Sequence, residues 1–193
     1  MKRVLTIVTI ITIIILTATV YNYSKLSNSI DEGLKKYNPE KTLEATKEKY
    51  PIIVMYAEDS TPKAFLNFLY YHLQRNVPYN YERAGDPEVF LSRGGDCYDF
   101  TYYIIGLYVA LYGDADIYLL IMNIETEQGI TGHIAPVFKI GDEYILVDAA
   151  AAQIAIMGDL HDVQEYYNIK KITVFHLLFE DKKLTRKTLV LDF

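Results

Sequence analysis

The sequence predicts an α+β fold, with helices in the first half of the chain and a mostly antiparallel sheet in the second half. Two amphipathic helical patterns lie before residue 113, whereas four runs rich in Ile, Val, Tyr and Phe lie after it. The chain has 193 residues, of which 51% are apolar, and this suffices for one domain with a real core but hardly for two. We therefore expect one globular domain, residues 61–193, behind an N-terminal extension.

The N-terminal segment has the composition of a membrane anchor. Lys2 and Arg3 precede an uncharged run, Val4–Val20, which is followed by Tyr21 and Tyr23. A helix rises about 1.5 Å per residue and the hydrocarbon core of a bilayer is about 30 Å thick, so the run and the tyrosines together can span it. A cleaved signal peptide and a buried core helix remain the alternatives. We expect residues 1–24 to be a signal anchor, which makes the chain a single-pass membrane protein with an extracytoplasmic domain.

Residues 25–60 are charged and helix-prone, and Pro39 divides them into two short segments. This composition predicts a helical juxtamembrane stalk, with a solvated spacer as the alternative. Thr61 and Pro62 then supply an N-cap and a proline at the first helical position. Apolar residues recur at helical spacing as far as Val77, which predicts a helix that packs on the core.

Residues 78–95 are predicted to form a polar loop, because prolines and glycines interrupt them. The next segment, residues 94–113, is the best-specified helix of the chain. Asp96 can cap this helix, Asp99 stands at the third helical position, and Gly113 can end it. The helix carries one continuous apolar stripe, which consists of Phe100, Tyr103, Ile104, Leu107, Tyr108 and Leu111.

The second half of the chain is predicted to be mainly strands. A helix is expected from Asp159 to Asn168, and Thr188–Phe193 is a candidate for a short last strand. The four strand-like runs are Ile117–Ile124, His133–Ile140, Tyr144–Ala149 and Ile172–Phe179.

Composition excludes several classes of site. The formal net charge of −6 offers no basic surface for phosphates, so nucleic acid is not an expected partner. With one cysteine, the chain can form neither an intramolecular disulfide nor a cysteine-based zinc site, and it contains no HExxH motif. We therefore expect no metal and no cofactor. Three histidines, His72, His161 and His176, are interpreted as structural or surface residues.

Cys97, the single cysteine, lies in the first turn of the best-specified helix, after two glycines that let the backbone approach a substrate. The positive end of the helix dipole favours a thiolate, which is the nucleophilic form of cysteine. Asp96 and Asp99 oppose the thiolate unless an imidazolium lies nearby. The alternative is an inert, buried thiol.

A hairpin is predicted to bring His133 close to Asp148. If residues 141–142 form a two-residue turn, Ile140 pairs with Glu143, and counting outward places Ala135 opposite Asp148. His133 is two residues from Ala135, so it shares a face with Asp148 at a distance of roughly 7 Å between backbones. A shift of one residue in register would send Asp148 to the other face.

Asp148 interrupts an apolar run, and a buried carboxylate needs a partner. One interpretation is an aspartate that caps the turn at the end of its strand. The functional interpretation is a hydrogen bond from His133 Nδ1 to Asp148. This bond would orient the imidazole to take the proton of the Cys97 thiol.

These residues resemble the transglutaminase-like superfamily of papain-like thiol enzymes. The resemblance rests on Gly94-Gly95-Asp96-Cys97 at the start of a helix, Gly132-His133 on one strand, Val147-Asp148 on the next, and the upstream segment Val77-Pro78-Tyr79. It covers about residues 62–150, and it includes the order and the spacing of the cysteine, histidine and aspartate.

The resemblance implies a papain-like core in which Cys97 is the nucleophile, His133 the base and Asp148 the residue that orients the base. The Cys97 N–H is a candidate oxyanion donor, and Tyr79 is a candidate for a second donor. We expect a membrane-anchored cysteine peptidase or amidase that acts on a peptide or carboxamide bond of a polypeptide. A cross-linking transglutaminase is the closest alternative, and a catalytically silent, membrane-anchored binding module is the alternative of another class.

Overall fold

The computed structural model describes residues 2–192, and it describes the side chains of residue 12 and of residues 15–190. The chain divides into two compact units, one that ends at Lys35 and one that begins at Lys36. The helices are α1 Lys2–Lys36, α2 Pro39–Lys49, α3 Pro51–Glu58, α4 Pro62–Asn76, α5 Pro87–Arg93, α6 Cys97–Tyr112 and a 3-10 helix Leu160–Glu165. The strands are β1 Ala115–Thr126, β2 Gly129–Ile140, β3 Glu143–Asp148, β4 Gln153–Met157, β5 Ile169–Glu180 and β6 Lys183–Asp192.

The first unit consists of most of α1. The predicted membrane span, Val4–Val20, lies mostly outside the residues whose side chains are described. Among the helices of the described part, none is both long enough and apolar enough to cross a membrane. The anchor therefore stays a prediction.

The second unit includes α2 and α3, which belong to the segment predicted as a stalk. Its first residue is Lys36, whereas the sequence predicted that the globular domain begins at residue 61. The reason is that α2 has a buried face, which packs against α6. On that face the hydroxyls of Thr46 and Tyr103 lie 2.8 Å apart in a buried hydrogen bond. Short polar side chains thus make a contact that hydrophobic periodicity does not reveal.

The helix predicted after Thr61 is confirmed as α4, and the Thr61 hydroxyl accepts a hydrogen bond from the Ala64 N–H at 3.3 Å. The prediction of a continuous loop over residues 78–95 is wrong, because α5 lies within it. The Asp86 carboxylate caps α5 by accepting a hydrogen bond from the Val89 N–H at 2.9 Å. α5 packs against α2 and contacts α6, so this short helix belongs to the helical layer.

The strands described form a six-stranded antiparallel sheet in the order β4-β3-β2-β1-β5-β6. The four predicted strands are confirmed as β1, β2, β3 and β5. The strand predicted near the C-terminus corresponds to β6, which begins earlier, and β4 was not predicted. The helix predicted over residues 159–168 is a shorter 3-10 helix, whose N-cap is Asp159.

The sheet separates two hydrophobic layers. α6 packs on one face, where the rings of Tyr108 and Phe138 lie 4.7 Å apart. Successive residues of a strand point to opposite faces, so Val137 points to the other face. There it joins a buried cluster that includes Leu120, Leu146 and Tyr167. The fold is therefore α+β, as predicted, with a core on each side of the sheet.

Candidate active site

Cys97 is the first residue of α6, and a capping box fixes this end of the helix. The Asp96 carboxylate accepts hydrogen bonds from the N–H groups of Tyr98 and Asp99, at 2.9 and 3.2 Å. In return, the Asp99 carboxylate accepts one from the Asp96 N–H at 3.1 Å. The predicted capping is confirmed. It fixes the position of Cys97, which lies between Asp96 and Asp99 in the sequence.

Asp99 also ties two other parts of the chain to the start of α6. Its carboxylate is fully buried and accepts hydrogen bonds from the Tyr37 hydroxyl at 2.6 Å, the Ala84 N–H at 2.9 Å and the Gly85 N–H at 3.2 Å. Burial, the hydrogen bond to Asp99 and the charge of Asp99 all raise the pKa of Tyr37, so this phenol stays protonated and donates. Asp99 is thus a structural centre rather than a free charge beside the thiol.

The two glycines before Asp96 allow backbone segments to pack closely. A Cβ on Gly94 would clash with the carbonyl oxygen of Pro78, and one on Gly95 would clash with the Asp99 carboxylate. The Gly94 backbone has φ 82°, a conformation that favours glycine. The Asn80 N–H donates to the Gly95 carbonyl at 2.9 Å. The glycines therefore allow residues 78–80 to pack closely against the start of α6. The sequence had predicted a different role for them, namely close approach of the backbone to a substrate.

An arginine compensates the negative charge of the helix cap. Arg83 Nε lies 3.1 Å from Asp96 Oδ2, and its guanidinium lies 4.1 Å from the centre of the Tyr98 ring. With Asp96 paired to Arg83 and Asp99 bonded to several donors, the two acidic residues oppose a thiolate at Cys97 less than the sequence suggests.

The hairpin after β2 has the predicted two-residue turn. Ile140 pairs with Glu143, and Gly141 in the turn has φ 62°. The same register continues inward to Val137 opposite Leu146. Extended by two residues, it places Ala135 opposite Asp148 on the face that carries His133.

The imidazole of His133 lies between Asp148 and Cys97. His133 Nε2 lies 2.5 Å from Asp148 Oδ2, and the Cys97 side chain lies close enough to the ring to raise the pKa of His133. The predicted contact of Asp148 with Nδ1 is therefore wrong in its choice of nitrogen. Because Asp148 takes Nε2, Nδ1 is the nitrogen that remains for the thiol.

His133 is placed to carry a positive charge. Burial lowers the pKa of His133, but the hydrogen bonds and charges of Asp148 and Cys97 outweigh this effect and raise the pKa to about 10. The imidazolium is therefore the favoured form at neutral pH, and it lies against the sulfur that it would stabilise as a thiolate.

Asp148 is itself held by two further donors. The carboxylate is 2% exposed, and it accepts hydrogen bonds from the Tyr167 hydroxyl and from the Ala151 N–H, the latter at 3.0 Å. The turn that follows is attached to α4, because the Gln74 side chain donates to the Ala149 carbonyl. Burial and the neighbouring Asp148 raise the pKa of Tyr167, so its hydroxyl stays a donor.

Sequence analysis did not identify Tyr167 as part of the site. It lies in the segment predicted to be a helix, nineteen residues after Asp148, and no local motif links the two residues. The one available signal is general, since a buried carboxylate on an apolar strand requires donors from elsewhere in the chain.

We expect Tyr167→Phe to lower the free energy of unfolding by about 2 kcal/mol, because the ring remains while a hydrogen bond to a buried carboxylate is lost. Urea titration followed by circular dichroism measures this difference. Tyr166→Phe is the matched control and should change the free energy by less than about 0.5 kcal/mol. Equal losses in the two variants would contradict the assignment of the Tyr167 hydroxyl to Asp148.

A cleft of about 860 Å³ opens beside His133. It is lined by Tyr79 and Tyr81, by the tip of the β1–β2 hairpin and by Ala150 and Ala151. The Cys97 backbone lies close to the Tyr79 hydroxyl and partly offsets the rise that burial causes in the pKa of Tyr79. The N–H that a substrate oxygen would use therefore lies beside a tyrosine hydroxyl.

The other histidines lie outside this arrangement. His72 makes an edge-to-face contact with Tyr50, His161 pairs with Asp159 on the surface, and His176 pairs with Asp116. Within the described residues, no group of three or more His, Cys, Asp or Glu side chains has the arrangement of a metal site.

The structure thus brings Cys97, His133 and Asp148 together, and it adds Tyr167 and Tyr79 as contacts of the aspartate and of the Cys97 backbone. Comparisons with protein families, with curated proteins and with solved structures give no match to this chain.

Proposed function

We propose that this chain is a thiol acyl-transfer enzyme that uses Cys97, His133 and Asp148. One observation carries the proposal: a single imidazole bonds to a buried carboxylate through Nε2 and lies beside a thiol at a helix N-terminus, which leaves its other nitrogen for the thiol. Such a chain of contacts supplies a nucleophile, a proton carrier and an orienting group in one place. A cysteine peptidase or amidase is the favoured form of this activity.

The reaction begins with attack of the Cys97 thiolate on the carbonyl carbon of a peptide or carboxamide bond. A C–S bond forms, and the carbonyl electrons move to oxygen, which the Cys97 N–H can stabilise. The imidazolium of His133 then gives its proton to the leaving nitrogen as the C–N bond breaks. The products of this half-reaction are an amine and a thioester on Cys97.

The second half-reaction decides between the alternative enzyme classes. His133, now neutral, takes a proton from water or from an amine, which attacks the thioester and regenerates the thiolate. Water as the acceptor makes a hydrolase, whereas a lysine amine makes a cross-linking enzyme. The cleft opens to solvent, and this favours water as the acceptor.

Two further features belong to the same proposal. A papain-like core is supported by the order of the elements, in which the cysteine helix precedes an antiparallel sheet that carries the histidine and the aspartate on neighbouring strands. A membrane anchor at residues 1–24 is supported by the uncharged run Val4–Val20 alone.

An activated ester tests the proposal without knowledge of the natural substrate. p-Nitrophenyl acetate should acetylate Cys97 with release of p-nitrophenolate, and mass spectrometry of the peptide that contains Cys97 locates the adduct. We expect a rate about a hundredfold above that of N-acetylcysteine at pH 6, because the thiolate and its proton carrier are already paired. Cys97→Ser should lose the adduct.

The second step is followed by addition of butylamine to the same reaction. Faster release of the acetyl group in proportion to the amine identifies a cross-linking enzyme, whereas release that is independent of the amine identifies a hydrolase. Acetylation no faster than that of N-acetylcysteine contradicts the enzyme and favours the silent binding module.

A further inference from the structure

One edge of β2 is unpaired where it passes the site. β3 pairs with β2 from Ile140 inward to Val137, and its last residue, Asp148, lies opposite Ala135. β1 pairs with β2 as far as Gly129 on the opposite edge. Among the described strands, none covers the β3 side of β2 beyond this point, so the β1–β2 hairpin projects past β3, whereas β5 continues beside β1 as far as Ile124.

The register shows which backbone groups point to the unpaired edge. Thr126 and Gly129 flank a two-residue turn, so their backbones bond to each other. In an antiparallel pair such bonds recur at every second residue, and Thr131 and His133 therefore bond to β1. The N–H and C=O groups of Ile130 and Gly132 point the other way, toward the cleft.

The same edge leads directly to the nucleophile. The next carbonyl along it, that of Ile134, accepts a hydrogen bond from the Thr101 hydroxyl of α6 at 3.0 Å. Thr101 lies one helical turn after Cys97, so α6 is attached to the edge beside the thiol. Both Ile130 and Gly132 are exposed, and space is open around the Cα of Gly132.

We propose that the edge of β2 from Ile130 to Gly132 binds the substrate polypeptide as an added strand, with its scissile carbonyl directed to Cys97. Alternating free donors and acceptors are complementary to an extended backbone, and they do not depend on side-chain identity. Tyr79 and Tyr81 line the same cleft as this edge and offer aromatic surface to the added strand. This inference rests on the proposed function, because it names the form in which that site takes its substrate.

Peptidyl chloromethyl ketones test the strand on the native chain. The Cys97 thiolate displaces chloride and forms a thioether, so the rate of inactivation reports binding of the peptide. A tetra-alanyl probe should react at least about tenfold faster than chloroacetone, since the added backbone bonds form along the edge. Methylation of its amide nitrogens, one at a time, should slow the reaction in an alternating pattern, because only every second N–H of a strand faces its neighbour.

A pair of substitutions at Gly132 tests the edge itself. Gly132→Pro removes the outward N–H, whereas Gly132→Ala retains it, and neither touches the bonds to β1. We expect the proline variant to lose about tenfold in the rate with the tetra-alanyl probe and the alanine variant less than about twofold. Both variants should keep the wild-type rate of alkylation by iodoacetamide, which needs no strand.

The outcomes separate this inference from the proposed function. Rapid iodoacetamide alkylation at pH 5 without faster reaction of the tetra-alanyl probe, or without alternation among its methylated forms, overturns the strand and leaves the acyl-transfer site intact. Slow iodoacetamide alkylation at pH 5 contradicts the site itself. A dimer that Gly132→Pro dissociates in sedimentation experiments would assign the edge to a second copy of the chain and overturn the inference.

Discussion

Replacement of His133 by alanine is expected to lower the rate of iodoacetamide alkylation of Cys97 at pH 5 by about a thousandfold. An ordinary thiol is less than about 0.1% ionised at this pH. In the proposed mechanism, the imidazolium of His133 lies beside the sulfur and stabilises it as the reactive thiolate. The rate is measured by quenching at intervals and by mass spectrometry of the alkylated peptide.

The direction of the pH dependence follows from the pKa of His133. Burial lowers this pKa, but Asp148 and Cys97 raise it to about 10, so the imidazolium is present below that pH and lost above it. The native chain should therefore alkylate at a nearly constant rate from pH 5 to pH 8. The variant should instead gain about tenfold in rate per pH unit across the same range, because its thiol ionises without a partner.

His176→Ala is the matched control, since His176 also pairs with an aspartate, at 2.7 Å from Asp116. It should retain the native profile. Identical profiles for His133→Ala and the native chain would remove the ion pair from the proposed mechanism. A loss of reactivity in His176→Ala as well would point to a general effect of removing a histidine.

Replacement of Asp99 by alanine is expected to lower the free energy of unfolding by about 4 kcal/mol. The change leaves four buried or half-buried donors without their acceptor: the Tyr37 hydroxyl and the N–H groups of Ala84, Gly85 and Asp96. Each unsatisfied donor costs about 1–3 kcal/mol, although exposed ones regain water. Urea titration measures the difference, with circular dichroism as the signal.

Asp162→Ala provides the comparison, because Asp162 occupies the same position in the capping box of the 3-10 helix. Its carboxylate accepts hydrogen bonds from the N–H groups of Gly158 and Asp159, both at 3.0 Å and both exposed. We expect a loss of about 1 kcal/mol there, as for an ordinary cap. Equal losses at the two positions would show that Asp99 acts as a helix cap and not as a centre for the loop before α6.

The contact between His133 and Asp148 could be predicted because it depends on the number of residues that separate each of them from the turn. A two-residue turn fixes the register, and the alternation of a strand fixes the face, so the sequence determines the backbone position of both residues. The choice between Nδ1 and Nε2 could not be predicted in this way. It depends on how the ring rotates against Cys97 and Tyr167, which come from other parts of the chain.

α5 could have been predicted, because Asp86 and Pro87 repeat the cap-and-proline signal that Thr61 and Pro62 give for α4. The glycines and prolines around this seven-residue helix concealed it, since they are also typical of loops. Tyr167 and α2 are different cases. Their contacts join residues that are distant in the sequence through hydroxyl groups, and no periodic pattern of apolar residues marks them.

The candidate site lies between the two hydrophobic layers, so its reactivity depends on both of them. His133, Asp148 and Tyr167 belong to the face of the sheet that the 3-10 segment covers, whereas Cys97 arrives on a helix from the opposite face. In the proposed mechanism, the pair of Cys97 and His133 forms only while both layers are docked on the same sheet. The reactivity of Cys97 in mild acid therefore reports whether both layers are packed on the sheet. We expect this reactivity to be lost when either layer unfolds locally, even if the other layer remains folded.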